Sequence, residues 1–233
     1  MLTLAISRVQ SVTNEQSGPT LSNTLAISAP PANSLIVSAI GGDKNIGADF
    51  AVPTGFTLLG TLMLGSGCSF GFAFKISAGE TAIVWNYGGA GATGDNTAAW
   101  VGVYTGNTAT PFDVSAETNS TSTAVASISS GTTAATAQND EIAIVAGAVD
   151  SVASIPNPAW NNSFVAVFAG WFGTNAGIFI GEKTLVATGT QQSTLQGSSG
   201  TDQMGAAIAT FKAAAVAAST PPRNLLLNIG ALI

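Results

Sequence analysis

Asn33-Ser34-Leu35-Ile36-Val37-Ser38-Ala39 decides the fold, because a segment of the same kind, Asn139-Asp140-Glu141-Ile142-Ala143-Ile144-Val145, follows later in the 233-residue chain. Each segment places a turn-forming residue before a short apolar run, and a glycine, Gly41 or Gly147, follows each run. Short apolar runs bounded by turn residues are typical of buried strands. Self-similarity of this kind constrains the architecture, and here it predicts a duplicated β unit.

Three further pairs of segments recur in the same order, and all four pairs lie 104 to 108 residues apart. They are Pro53-Thr54-Gly55-Phe56 with Asn157-Pro158-Ala159-Trp160, Gly71–Lys75 with Ile178–Lys183, and Ala99–Tyr104 with Ala206–Phe211. Half a sandwich alone would expose an apolar sheet face. We therefore interpret residues 25–112 and 131–212 as interlocked halves that close one core.

Two separate sandwiches of about 100 residues each are the alternative arrangement. The Ser/Thr/Ala-rich stretch Ser115–Thr136 would then be a linker, with the junction near Ser120–Gly131. In the one-domain interpretation the same stretch is a long crossover or an exposed strand.

Short apolar or alternating runs between turn-forming clusters predict strands along the whole chain, and no amphipathic helix competes with them. The expected fold is an all-β, antiparallel, jelly-roll-like β-sandwich over residues 1–212. An Ala-rich linker and an apolar arm follow over residues 213–233. The predicted strands are Thr3–Val9, Leu35–Ile40, Thr57–Leu64, Ser69–Ile76, Ala82–Trp85, Ala98–Tyr104, Ala124–Ile128, Glu141–Ala146, Ser163–Phe168, Ala176–Ile180, Leu185–Ala187 and Ala206–Phe211.

Charged residues are sparse, with six Lys and Arg against twelve Asp and Glu and a net charge of −6. The basic residues are scattered and form no patch in the sequence that could follow a phosphate backbone, so we expect no direct nucleic-acid binding. With so few charges, much of the surface must consist of small neutral residues or be buried against partners.

Histidine is absent, which excludes Ser-His and Cys-His pairs and histidine-containing metal sites. We therefore expect no enzyme, no cofactor and no metal. A glycosidase that uses two of the twelve carboxylates across a cleft is the weakest alternative. The lone Cys68 lacks both a disulfide partner and a histidine to activate it, and it is predicted to be a buried or loop thiol.

Aromatic residues on one face of a sandwich can bind carbohydrate. Trp85 and Tyr87 lie at a predicted strand end beside a glycine-rich stretch, and they form the candidate sugar platform. Trp100 and Trp160 occupy strand or strand-end positions of the repeat, and we expect them in the core.

An apolar arm follows the proline pair Pro221-Pro222, which ends regular strand pairing. A soluble protein does not leave such an arm free in water. The arm either folds back on its own core or docks on a neighbouring subunit by strand addition or groove filling. The residues assigned to this assembly arm are Pro221, Pro222, Leu225, Leu226, Leu227, Ile229, Leu232 and Ile233.

Three motifs resemble a group of phage and prophage virion proteins with jelly-roll-like domains. They are the strand Asn33–Val37, the turn Pro53-Thr54-Gly55-Phe56, and Phe74-Lys75-Ile76-Ser77-Ala78-Gly79. The resemblance spans about residues 25–212, and the second half departs from it because Trp160 lacks the preceding glycine. The resemblance implies a structural role, as a capsid decoration (cement) protein or as a tail or fibre component.

The leading hypothesis is a non-enzymatic capsid decoration protein that self-associates and clamps neighbouring subunits. Its expected partners are itself, as a homo-oligomer with a trimer as one form, and a major capsid or other virion protein. The alternative is a tail-fibre or receptor-binding adhesin that recognises carbohydrate. No secretory signal and no apolar stretch of about 20 residues is found, so we expect no membrane and a virion assembled in the host cytoplasm.

Overall fold

The computed structural model describes residues 5–18, 20, 22–43, 51–65, 67–87, 96–150, 159–172, 176–196 and 202–215. These residues form sixteen β-strands and no helix, so none of them belongs to a helix that could cross a membrane. All pairings between these strands are antiparallel. The predicted all-β fold is confirmed, and the jelly-roll topology stays a prediction.

The first half of the fold contains one large and one small sheet. Its strands are β1 Ser7–Ser17, β2 Ser22–Ala26, β3 Leu35–Asp43, β4 Thr57–Leu58, β5 Met63–Leu64, β6 Cys68–Ile76, β7 Ala82–Asn86 and β8 Asn96–Thr105. The first large sheet has the order β1-β8-β3-β6-β4, and β5 also pairs with β6. Strands β2 and β7 form the small sheet.

The second half repeats this arrangement. Its strands are β9 Asn107–Val125, β10 Ser127–Ser129, β11 Ile142–Val149, β12 Ala159–Trp160, β13 Val165–Phe172, β14 Ala176–Thr184, β15 Thr194–Gln196 and β16 Asp202–Ala213. The second large sheet has the order β13-β14-β11-β16-β9, and the small sheet has the order β10-β15-β12. Read from the opposite edge, β9-β16-β11-β14-β13 matches β1-β8-β3-β6-β4 strand for strand.

The two large sheets pack face to face, and each small sheet covers the outer face of its own large sheet. The central core therefore contains side chains of both halves, such as Phe70 and Phe72 with Ile180 and Phe211. In each half, one outer core lies between the large sheet and its small sheet. Because β3 and β11 are buried along their whole length, both faces need apolar residues. This explains why these strands appear in the sequence as continuous apolar runs.

The structural repeat is shifted by one residue from the repeat that the sequence indicates at the start of β3 and β11. Asn33 and Asp140 both adopt left-handed backbone conformations, with φ of 63° and 61°. Asn33 is therefore equivalent to Asp140, whereas the sequence comparison aligned it with Asn139. Asn and Asp tolerate this conformation better than other side-chain-bearing residues, which accounts for their place in the turn.

The turn before the edge strand is also shifted. The Phe56 amide donates to the Pro53 carbonyl at 3.0 Å, and the equivalent bond runs from the Phe164 amide to the Asn161 carbonyl at 3.3 Å. The counterpart of Pro53–Phe56 is therefore Asn161–Phe164, not Asn157–Trp160. Trp160 instead belongs to β12 in the small sheet.

Further differences concern the polar strands. Residues 107–125 form the long edge strand β9, which includes the first part of the Ser115–Thr136 stretch. Strand β1 runs to Ser17, well beyond the predicted Thr3–Val9. The two matching sets of strands begin with β1 and β9, which start earlier than residues 25 and 131. The predicted strand Leu185–Ala187 is wrong: these residues form no strand, and Val186 is largely exposed.

Candidate functional site

Two related clefts lie beside edge strands of the large sheets. The aromatic cleft, of about 440 Å³, is lined by β4, β6 and the start of β9. The charged cleft, of about 430 Å³, is lined by β1, β13 and β14. Because β4 corresponds to β13, β6 to β14 and β9 to β1, the two clefts occupy equivalent positions in the duplicated fold.

Three phenylalanine rings build the aromatic cleft and the core behind it. Strand register pairs Phe112 of β9 with Phe211 of β16. The Phe74 ring of β6 stacks on Phe112 at 5.5 Å between centroids and meets Phe211 edge-on at 5.5 Å. Phe211 is fully buried, whereas Phe112 keeps 37% of its surface exposed. The cleft thus presents an apolar wall that the described side chains leave partly open.

Arg8, Tyr104 and Glu182 occupy the equivalent positions in the charged cleft. Arg8 pairs with Tyr104 in the register of β1 and β8, as Phe112 pairs with Phe211. The Arg8 Nε lies 2.9 Å from Glu182 Oε1, and the Tyr104 hydroxyl donates to the same oxygen at 2.5 Å. Burial, together with the Glu182 carboxylate, raises the pKa of Tyr104. The duplicated fold therefore carries an aromatic trio on one side and an ionic trio on the other.

Each cleft has a lysine on its rim that lies over an aromatic ring. Lys75 Nζ is 5.7 Å from the Phe56 ring centroid, and Lys183 Nζ is 5.6 Å from that of Phe164. Lys75 also forms an ion pair with Glu80. Lys183 donates instead to Gln191 Oε1 at 3.3 Å. The two equivalent lysines thus differ in their nearest polar partners.

A polar cleft of about 470 Å³ adjoins the charged cleft, and the two share Ser163 and Lys183. Its remaining lining consists of hydroxyl and amide side chains, Thr132, Asn162, Thr190, Gln191 and Gln192. The Asn162 amide donates to the Gln192 carbonyl at 2.8 Å, which fixes part of this rim. Hydroxyls, amides and one ammonium group are suited to bind a polar ligand.

Exposed apolar residues cluster at the edges of the large sheets. Val9 of edge strand β1 is 54% exposed, and Val165 of edge strand β13 is 66% exposed. Leu64 and Phe112 are exposed on the opposite edge, in β5 and β9. Single exposed apolar side chains are ordinary, but these lie along strands that form the edges of the sheets in the part of the chain that the structure describes.

The sugar platform expected at Trp85 and Tyr87 is contradicted by burial. The two side chains are 0% and 2% exposed and belong to the outer core of the first half. The Trp85 indole donates to Ser38 Oγ at 2.9 Å, and the Tyr87 hydroxyl lies 2.7 Å from Thr20 Oγ1. A stacking platform needs an open ring face, so these residues are structural.

The predicted assembly arm lies outside the described residues. This applies to each of its assigned positions, Pro221, Pro222, Leu225, Leu226, Leu227, Ile229, Leu232 and Ile233. The described residues end at Ala215, and the preceding Ala214 amide donates to the Gly106 carbonyl at 2.7 Å.

Cys68 is fully buried, as predicted, near the acidic side chains Asp43 and Asp150. Burial is the main cause that raises the pKa of the thiol, and the two carboxylates add to it. Burial also raises the pKa of Asp150, helped by Asp202 and Asp43. Within the described ranges, no three His, Cys, Asp or Glu side chains are placed to hold a metal ion.

A second pair of acids is formed by Asp113 of β9 and Glu141, which directly precedes β11; strand β16 lies between these two strands, and the two side chains interact across it. Glu141 is fully buried, and its Oε1 accepts the Gln138 amide at 3.2 Å. Burial raises the pKa of Glu141, and the nearby Asp113 acts in the same direction. Neither acid lines any of the three clefts described above.

Comparison with known proteins identifies no relative. No family model matches the chain, and neither a curated protein nor a solved structure matches it significantly. The function must therefore be inferred from the clefts and edges of this fold.

Proposed function

We propose that the protein is a non-enzymatic virion structural component, a capsid decoration protein that self-associates through the edges of its sandwich. The observation that carries this proposal is the open aromatic cleft beside edge strand β9. Phe112 is partly exposed and stacked on Phe74, and covering this apolar surface with a partner lowers the free energy of the complex.

Edge strands support the same role. Strand β9 spans 19 residues, and among the described strands it pairs only with β16, as β1 pairs only with β8. Unpaired donors and acceptors along an edge are a template for strand addition by another chain. Long edges beside apolar side chains are therefore suited to lateral contacts between copies.

Sparse charge favours such contacts. Charged residues make up 8% of the chain, so a lateral interface would desolvate few ionic groups. Burying an ion costs several kcal/mol unless it is well paired, and neutral Ser, Thr and Gly surfaces avoid that cost.

The apolar arm would supply the clamp. Its six Leu and Ile side chains would each gain about 1.5–3 kcal/mol on burial. Ordering the arm costs about 1–2 kcal/mol per residue, so it needs a binding surface that buries most of these side chains.

Removing residues 222–233 tests the proposal. The intact chain is expected to form oligomers that grow with concentration in size-exclusion chromatography with light scattering, and the shortened chain is expected to lose them. Far-UV circular dichroism and tryptophan fluorescence should be the same for both chains, which shows that the sandwich is intact. If the shortened chain assembles as the intact chain does, the clamp is refuted.

A carbohydrate-binding adhesin is the second candidate, and the polar cleft is the observation that favours it. Hydroxyl and amide groups around Lys183 are suited to hydrogen-bond a glycan. The test is a glycan array with Lys183→Ala, and the equivalent Lys75→Ala serves as the matched control. Binding that only Lys183→Ala abolishes supports the adhesin, and a blank array for the unmodified protein counts against it.

A further inference from the structure

We infer that the aromatic cleft is the acceptor for the apolar segment Leu225–Ile233 of a second copy of this chain. The inference rests on the proposed self-association and names the surface that the arm occupies. The reciprocal arrangement, in which each of two copies fills the cleft of the other, follows from where the cleft and the end of β16 lie.

The chemistry of the cleft suits an apolar occupant. Phe74, Ile76, Pro111 and Phe112 provide its apolar lining. The ammonium group on its rim, Lys75, is paired with Glu80. Its volume of about 440 Å³ is within the range of roughly 300–1,000 Å³ found for sites that hold a ligand.

The charged cleft is a poorer acceptor for the same segment. An apolar side chain placed there would cover Arg8 and Glu182 and remove water from their ion pair. Desolvating an ion pair is costly, and Leu and Ile offer no hydrogen bonds in return. The aromatic cleft is the better acceptor of the two, because both partners of an ion pair line the charged cleft, whereas only one, Lys75, lines the aromatic cleft.

The last strand leaves the fold beside the aromatic cleft. Phe211 stands opposite Phe112 at the level of the cleft, and Ala213 stands opposite Asn107 further along the same edge. The strand thus passes the cleft and then moves away from it. Leu225 follows ten residues after Ala215, a span of up to about 33 Å for an extended chain.

This geometry favours a second copy over the arm's own cleft. Filling its own cleft would require the chain to reverse direction between Ala215 and Leu225. A return as a hairpin strand beside β16 would place Pro221 and Pro222 in strand positions, where they have no amide to donate. Two copies related by a two-fold axis near this edge need no reversal, and each arm then meets the cleft of the other.

Cysteine crosslinking in full-length chains tests the inference. Thr110, on the exposed lip of the cleft, is replaced in one chain (Thr110→Cys) and Leu226 in another (Leu226→Cys). The chains carry different tags, are mixed, and are oxidised under mild conditions. Val186→Cys, at a strongly exposed position that lines none of the clefts, replaces Thr110→Cys in the matched control mixture. The buried Cys68 serves as the background in unmodified chains.

We expect a crosslinked heterodimer that exceeds the control mixture by at least about tenfold, because docking raises the effective concentration of the two thiols. A chain with both Thr110→Cys and Leu226→Cys that crosslinks only within itself would overturn the inference in favour of the arm's own cleft. If oligomers form but the crosslink does not exceed the control, the cleft is not the acceptor, although the proposed self-association still holds. A chain that stays monomeric at all concentrations would overturn both.

Discussion

Replacing Gly41 by alanine tests how closely the two large sheets approach each other. A Cβ at Gly41 would lie 2.7 Å from the Cβ of Ala148 and 2.8 Å from the carbonyl oxygen of Gly177. Ordinary carbon contacts are about 3.5–4.0 Å. Overpacking of this kind costs about 1–3 kcal/mol. The smaller conformational freedom of alanine in the unfolded chain returns about 0.4–1 kcal/mol. We therefore expect Gly41→Ala to lower the free energy of unfolding by about 1–2 kcal/mol.

The assay is urea unfolding followed by tryptophan fluorescence. Ala148 in β11 stands at the position equivalent to Gly41 in β3. A double variant with Gly41→Ala and Ala148→Gly therefore exchanges the methyl group between the two sheets. The double variant should regain part of the loss, because the contact between the two Cβ atoms disappears and only the carbonyl contact remains. Gly147→Ala is the matched control, since its closest contacts are ends of side chains at 3.1 Å. A Gly41→Ala protein as stable as the unmodified protein would refute this packing of the sheets.

Three further predictions concern titratable groups. Burial acts to raise the pKa of Glu80, but hydrogen bonds from Lys75, the backbone and Ser77 outweigh it and hold the pKa at about 2. Glu80→Gln should therefore cost about 1–2 kcal/mol near neutral pH after allowance for solvent screening. In urea titrations this difference should vanish as the pH falls from about 4.5 to about 2, and a difference that persists at the lowest pH would contradict the ion pair. Burial and the acidic neighbours Asp202 and Asp43 raise the pKa of Asp150, so Asp150→Asn should raise the urea midpoint near neutral pH. This gain should shrink at lower pH as the carboxyl groups become protonated. A lower midpoint would contradict the unfavourable placement of Asp150 beside these acids. The Cys68 thiol should react with Ellman's reagent no faster than the protein unfolds, and rapid labelling of the native protein would contradict its burial.

The central strands could be predicted from the sequence because burial on both faces requires continuous apolar runs. Strands β3 and β11 follow this rule, and their Asn or Asp turns mark where they begin. The edge strands gave a weaker signal. The mostly polar residues of strand β1 alternate between exposed and half-buried, because successive side chains point to opposite faces of the sheet and none of them is fully buried. Such a sequence is hard to distinguish from a polar loop.

The clefts could not be predicted, because they join residues that are far apart in the chain. Phe74, Phe112 and Phe211 come from three different strands, and only the register of β9 against β16 brings the last two together. The misplaced sugar platform has a related cause. Trp85 was expected to be exposed because its partner β2, which pairs Asn23 with Trp85 and covers the outer core, was not predicted.

The mass of the intact chain in solution tests the central claim, self-association, most directly. Sedimentation equilibrium across a range of protein concentrations would measure it without any substitution. If the chain self-associates, its mass rises with concentration to a small multiple of the 23.1 kDa of one chain. A mass of 23.1 kDa at every concentration would contradict self-association.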